Sequence, residues 1–276
     1  MNATLLGSGD ALGVPAPLCG CEYCTESGPR RRPGLLVESG DATVVLDAGP
    51  DLKSQLAAAG QPDVDVFFLT HHHFDHVGGL HELNHAAMDF EAHLLNDEAF
   101  SEGDRPPQPE FDVYLTPTAQ LHLGYTSHHV ADRLNPRTLA HSDPVRVGNL
   151  KVVPFPVDHA RPGFDTVGFA VYEGRDGADT RKVVYAPDLR GFLPDEPAGR
   201  EYEDADFLFV EGSALLGVES HGPREDLEAA VESADADRTV LVNASEHLAR
   251  AHTETLEARA AEYGYELGRD FVEYVV

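Results

Sequence analysis

The chain has 276 residues and a formal net charge of −28, with 17 Arg against only 3 Lys and acids spread along its whole length. Phosphate backbones are held by clustered Lys and Arg, so this composition argues against nucleic acid as a partner. Distributed acids keep a protein dissolved in concentrated salt, which points to a halophilic protein of a salt-in, haloarchaeal type of cytoplasm. No run is long enough to span a membrane, and nothing near the start reads as a secretory leader.

In chain order, Ala3–Leu6 reads as a first strand, and all three cysteines then fall within Cys19-Gly20-Cys21-Glu22-Tyr23-Cys24. A disulfide would leave an odd thiol, whereas three clustered thiolates lack only one ligand for a closed tetrahedral zinc site; a reduced cluster without metal is the alternative. Arg30-Arg31-Arg32 before Pro33 reads as a solvated turn or as a dock for an anionic group. Strand-like runs follow at Leu35–Glu38, Thr43–Leu46 and Val66–Leu69, with a helix from Asp51 to Leu56. The segment 89–143 is rich in Pro, Asp and His and reads as an irregular insert, a lid or substrate wall. Its His128-His129 pair lies either on a solvated helix face or against substrate. Further strands are expected at Val152–Phe155, Val167–Tyr172, Lys182–Tyr185, Phe207–Val210 and Thr239–Val242. Helices are expected from Arg224 to Val231 and, behind a Thr N-cap, from Thr253 to Tyr263. This alternation predicts α/β layers, and no linker or repeat divides the chain.

The most informative stretch is Thr70-His71-His72-His73-Phe74-Asp75-His76-Val77-Gly78-Gly79, which leaves the end of the Val66–Leu69 strand. In an extended chain His71 and His73 point to one side and reach one ion, while His72 points away. Asp75 and His76 come after the turn, placed for a second ion. Imidazole and carboxylate suit zinc, with manganese or iron as alternatives, and two such ions can activate one water between them.

This run matches the HxHxDH signature of the metallo-β-lactamase fold superfamily, which the chain resembles along nearly its whole length. The resemblance implies an α/β fold of αββα four-layer sandwich type over residues 1–276, with a dinuclear site at one edge between the sheets. It also implies that later strand ends supply the remaining ligands: His159 after Lys151–Val157, and a bridging Asp188 after Lys182–Tyr185. Asp47, in Val44-Val45-Leu46-Asp47-Ala48-Gly49, resembles the supporting carboxylate that orients the ligand loop. Relatives end a strand near the C-terminus in a metal-binding His, but here Val242 runs into Asn243, a poor substitute on zinc. The CxCxxC element is shared with two groups, the phosphoribosyl cyclic phosphate diesterases of phosphonate degradation and the pyrroloquinoline-quinone biosynthesis B-type proteins. In the diesterases a His shortly after the last ligand completes a structural zinc. His247 is the nearest match, and although it could also swing back to the catalytic ions, it is assigned to Cys19, Cys21 and Cys24.

The function these relatives imply is metal-assisted hydrolysis of a small, anionic phosphodiester, linear or cyclic, by a hydroxide shared between two divalent ions, with Asp75 among the catalytic residues. His221, in Glu219-Ser220-His221-Gly222-Pro223, resembles a His near the substrate of the diesterases and is the candidate proton donor to the leaving group, although a plain loop His fits the same residues. Two other readings stay open. Ala48–Leu56, Tyr185–Leu189 and Glu211-Gly212-Ser213 look closer to the quinone-biosynthesis proteins, which implies iron-dependent oxidation; and Asn243 could mark a non-catalytic, metal-stabilised binding protein. A tRNA 3′-end nuclease of the same fold would need a basic docking surface that the composition does not offer. A homodimer is left open.

Overall fold

The computed structural model describes residues 1–40, 42–86, 111–126, 134–174 and 180–276. The first sheet contains β1 (Asn2–Gly7), β2 (Gly34–Ser39), β3 (Ala42–Leu46), β4 (Val66–Phe68), β5 (Phe111–Leu115) and β6 (Leu134–Thr138). The second contains β7 (Val145–Val147), β8 (Leu150–Asp158), β9 (Thr166–Glu173), β10 (Arg181–Ala186), β11 (Gly191–Phe192), β12 (Phe207–Glu211), β13 (Arg238–Val242) and β14 (Glu266–Leu267). The chain then returns to the first sheet as β15 (Glu273–Val275), antiparallel to β1. The orders are β15-β1-β2-β3-β4-β5-β6 and β11-β8-β9-β10-β12-β13-β14, with β7 paired to β8.

The central strands of both sheets are buried on two faces, which is why they read as unbroken apolar runs and do not alternate. All of Val183–Ala186 and Phe207–Glu211 is buried. One core lies between the sheets and holds Phe68, Phe169, Tyr185 and Phe209. A second covers the outer face of the first sheet, where Leu52, Leu80 and Leu83 come from the helices Leu52–Ala58 and Leu80–Ala86. A third covers the outer face of the second sheet, with Leu227 and Val231 from the helix Arg224–Ser233 and Leu256 from Thr253–Glu262. Three cores between four layers make the αββα sandwich. Each large apolar side chain withdrawn from water contributes about 1.5–3 kcal/mol, so the layers are held mainly by these faces.

β3 to β6 run parallel, as do β10, β12, β13 and β14. Parallel neighbours deliver their C-terminal ends to a common edge, where ligands of open α/β sheets bind. β10, β12 and β13 therefore release Pro187, Gly212 and Asn243 at one edge of the second sheet, and β4 releases Leu69 from the first. In register, Glu211 faces Val242 and Ala186 faces Val210 across the pairs.

Two sequence expectations need correction. Much of the supposed irregular insert is regular: β5, the helix Pro117–Thr126 and β6 extend the first sheet. The outermost strand β6 was hard to recognise because Asn135-Pro136-Arg137 is polar and carries a proline, as edges tolerate. Residues 87–110 and 127–133, including His128 and His129, lie outside the described residues. β8 likewise runs through Pro154 and Pro156, which fall between the stretches paired with β7 and β11, so neither missing N–H breaks a ladder. Arg30-Arg31-Arg32 is neither a solvated turn nor an open dock. Arg30 is buried with Nε 2.8 Å from Glu246 Oε1, Arg31 Nη1 lies 3.5 Å from Asp270 Oδ2, and Arg32 Nη1 lies 3.3 Å from Asp51 Oδ1. These are internal fastenings.

Candidate metal centre

Asp47 organises the loop that leaves β4. At φ +66° it turns its carboxylate under the loop, where Oδ1 accepts the Thr70 N–H at 2.8 Å and the Thr70 hydroxyl at 3.0 Å. Oδ2 accepts His76 Nδ1–H at 2.7 Å and the Tyr185 hydroxyl at 3.1 Å. Because the Thr70 hydroxyl donates to Asp47, it accepts from His71 Nδ1, 3.0 Å away. One buried carboxylate thus sets two tautomers and leaves Nε2 of both His71 and His76 with a free lone pair. Glycines let the loop sit this close. A Cβ on Gly79 would meet Gly49 O at 2.3 Å, and one on Gly49 would meet Asp75 O at 2.1 Å.

The imidazoles converge on one atom. Asp188 Oδ2 lies 3.4 Å from His71 Nε2, 3.1 Å from His76 Nε2 and 3.8 Å from His159 Nε2. His71, His73, His159 and Asp188 form one mutually close donor set, and Asp75, His76 and Asp188 form a second. His76 Nε2 is also 3.1 Å from Asp75 Oδ2. His72 faces away, its ring 4.4 Å from those of His122 and Phe164. The buried His71, His76 and His159 Nε2 atoms make no hydrogen bond. Buried polar atoms are rarely left so, and a cation is what such lone pairs are arranged to meet. Protons fit poorly there: burial holds His71 well below the ordinary imidazole value and pushes His159 down to about 4. His76 differs, since the carboxylates of Asp47, Asp188 and Asp75 outweigh its burial and hold it high.

His221 stands beside this centre, with Nε2 4.0 Å from Asp188 Oδ2 and its ring 4.7 Å from that of His159. Its Nδ1 donates to Glu211 Oε2 at 2.6 Å, a buried carboxylate at the end of β12. Burial disfavours charge on His221, but the Glu211 hydrogen bond and charge outweigh it and push the imidazole up to about 9. Glu211 Oε1 also accepts the Ser213 N–H at 2.7 Å. Asn243 turns its amide nitrogen towards the two acids, 2.7 Å from Asp188 Oδ1 and 2.8 Å from Glu211 Oε2. The sequence reading gave Glu211 no role in the site, although its signal matched that of Asp188, an apolar run ending in a carboxylate. Phe164, whose ring lies 5.0 Å from His73 and parallel to His71, had no signal at all.

A cavity of about 160 Å³ opens on this cluster. Its lining joins the polar His73, Asp75, Asp188, His221 and Asn243 with the apolar Leu12, Leu216, Val218 and Leu248. A larger cleft of about 610 Å³ lies beside the cysteine loop, but Arg30, Glu246 and Asp270 in its wall already bond to one another or to Ser8 and Arg31.

The cysteines form a separate cluster. The helix Glu246–Ala249, capped by the Ser245 hydroxyl, carries His247 to them. Its Nδ1 lies 3.5 Å from Cys19 Sγ, 3.5 Å from Cys21 Sγ and 3.4 Å from Cys24 Sγ. A tetrahedral ion with Zn–S of about 2.3 Å and Zn–N of about 2.0 Å requires S···N edges of about 3.5 Å. The donor set fits such an ion, and His247 belongs here and not with the strand-end cluster.

Known proteins agree with this architecture. The zinc-bound structure of PqqB from Methylobacterium extorquens superposes with a TM-score of 0.75 at 20% identity, covering 100% of both chains. A diphosphatase of the PhnP family superposes at 0.74 and 19% identity, covering 100% of this chain and 97% of that one. Among curated sequences, ribonuclease Z of Methanopyrus kandleri is 43% identical over 53 residues, 18% of this chain and 19% of that one. The chain spans about a fifth of the length of the curated relatives it matches. The beta-lactamase superfamily domain matches residues 42–243, from β3 through the strand-end cluster, and the chain belongs to the metallo-β-lactamase superfamily.

Proposed function

We propose that the protein is a metal-dependent phosphodiesterase acting on a small phosphodiester. The observation that carries this reading is the convergence of His71, His76 and His159 on one oxygen of Asp188, with His221 alongside. Two divalent ions held by His71, His73, His159, Asp188, Asp75 and His76 would supply a water acidified towards neutral pH and neutralise charge on the phosphoryl oxygens. The chain's own residues supply the rest. Asp47 and Thr70 fix the direction of the imidazoles. Asp75, buried at the cavity wall, stands with His76 and Asp188 as a donor to the second ion. Glu211 holds His221 by Nδ1, so that Nε2 presents a proton to the departing alkoxide, the step that poor leaving groups most need. Cations held at Asp188 would oppose the Glu211 charge that raises His221.

The second metal site of this reading is the cysteine cluster, as structural zinc. No helix among the described residues is long and apolar enough to cross a membrane. The net charge of −28 supports a halophilic, cytoplasmic enzyme whose substrate is small. The deciding experiment is turnover of an activated phosphodiester and of a small cyclic phosphate by zinc- or manganese-loaded protein in molar salt. Asp188→Ala should remove the activity. Oxygen uptake by iron-loaded protein without ester turnover would favour the oxidative reading, and metal binding with neither reaction the binding-protein reading.

A further inference from the structure

Asn243 occupies the place where the sequence pattern expects an imidazole, and its contacts show what it does there. An N–H has no lone pair to offer a cation, and only the amide nitrogen can satisfy two carboxylates at once. With Nδ2 at 2.7 Å from Asp188 Oδ1 and 2.8 Å from Glu211 Oε2, the side chain is a clamp between these acids. The clamp occupies Oδ1 and leaves Oδ2 of Asp188 as the face turned to the imidazoles.

Of the three donor sets that share Asp188, the one with Glu211 and His221 is taken up by the hydrogen bonds of His221 and Asn243 to Glu211, and the other two are unlike. His71, His73 and His159 with Asp188 give three imidazoles and one carboxylate, a nitrogen-rich donor set of the kind zinc prefers. Asp75, His76 and Asp188 give one imidazole and two carboxylates, leaving the remaining positions to water. Oxygen-rich, partly hydrated sites suit harder ions such as manganese.

We propose that this centre is built for two unequal ions, a tightly held zinc at His71, His73, His159 and Asp188, and an exchangeable, harder ion such as manganese at Asp75, His76 and Asp188. The inference rests on the metal-centre reading above. In it Asn243 is a positioning residue that fixes the bridging carboxylate and ties it to Glu211, and the second ion is drawn from solution at need.

The test is a count of ions on the intact protein, separate from activity. Wild-type protein saturated with zinc and passed through a desalting column should retain about two zinc per chain, one at the cysteines and one at the imidazoles. Added manganese, followed by electron paramagnetic resonance, should bind at about one further ion per chain and leave on desalting. Asn243→His supplies the second imidazole. Asn and His both tolerate the left-handed backbone at this position, φ +59°. The variant should retain about three zinc per chain and bind the last at least about tenfold more tightly than wild type. Three zinc retained by the wild type would overturn the inequality. So would an Asn243→His protein that keeps its cysteine zinc yet gains none. Retention of the cysteine zinc alone by the wild type would overturn the metal-centre reading itself.

Discussion

The two metal-type clusters of this molecule are built on opposite plans. The cysteine cluster takes three of its four donors from one six-residue loop and closes on a single distant residue, His247, with all three S···N distances at 3.4 to 3.5 Å. The strand-end cluster gathers one donor group each from β4, β8 and β10, stands on Asp47, Thr70 and Tyr185, and keeps one side open to a cavity. A closed set with local ligands is a staple, whose worth is the folding it holds in place. An open set over a buried second tier is arranged for exchange and chemistry. The contrast predicts that damage to one cluster appears in stability and damage to the other in turnover.

The strand-end cluster gives the largest effect. Asp188→Ala removes the oxygen on which the imidazoles converge, so phosphodiester turnover should fall by at least about a thousandfold while the cysteine ion and the far-ultraviolet dichroism are kept. His73→Ala should lie nearby, since His73 belongs to the same donor set. Retained turnover in Asp188→Ala would place the chemistry elsewhere.

At the staple the expectation reverses. Cys21→Ser should release about one zinc per chain and lower the melting temperature by roughly 10 °C, leaving turnover per folded molecule within about twofold. Zinc analysis and calorimetry of the same sample decide it. Unchanged metal and melting would reduce the cluster to a set of free thiols.

The same contrast explains how much of the site was legible. The cysteine cluster and the HxHxDH loop are local in sequence, so spacing alone announced them. The alternation of apolar runs with helices showed only α/β layers; the αββα class and the ligand roles of His159 and Asp188 followed from the family resemblance, since either residue alone reads as an ordinary loop residue. Glu211 sat at the end of one of those runs, yet its partner His221 lies across a loop, and nothing in a single chain fixes that contact. Asn243 read as a defect in a ligand set. Its hydrogen bonds to Asp188 and Glu211 depend on β10, β12 and β13 lying side by side in parallel register, which a one-dimensional pattern does not contain. β5 and β6 were obscured because the signal in Phe111–Leu115 is short and that in Leu134–Thr138 is polar.

Glu211 offers a finer cut within the strand-end cluster. Glu211→Gln removes the charge that raises His221 but keeps a hydrogen-bond acceptor for Nδ1. An acid must be protonated to act, so its contribution is lost as pH rises through its pKa. Lowering that pKa should bring the alkaline limb of the rate profile to lower pH. Esters with poor leaving groups should slow by roughly 10- to 100-fold, and nitrophenyl esters by much less, because phenolate needs little protonation. His221→Ala should share the leaving-group dependence. Equal slowing of both ester classes in His221→Ala would remove the general-acid role and leave the metal chemistry standing.

The smallest effect should come from salt, and it should touch both clusters alike. With 48 acidic against 20 basic side chains, most carboxylates have no cation to meet. Lowering salt from about 1 M to about 0.1 M lengthens the Debye distance from about 3 to about 10 Å, so neighbouring carboxylates begin to repel across the surface. The same change strengthens exposed pairs such as Arg200–Glu203 and Arg238–Glu266, but each of these contributes at most about 1 kcal/mol. The acids outnumber the bases by 28, so repulsion wins and the melting temperature should drop by a few degrees at low salt. Metal content should not change, because the donors of both clusters are tied by short contacts that salt screens little. A melting temperature that stays level or rises at low salt would mean that the acidic surface is no adaptation to concentrated salt. Loss of one cluster's ion alone would mean that the charge acts locally on that cluster.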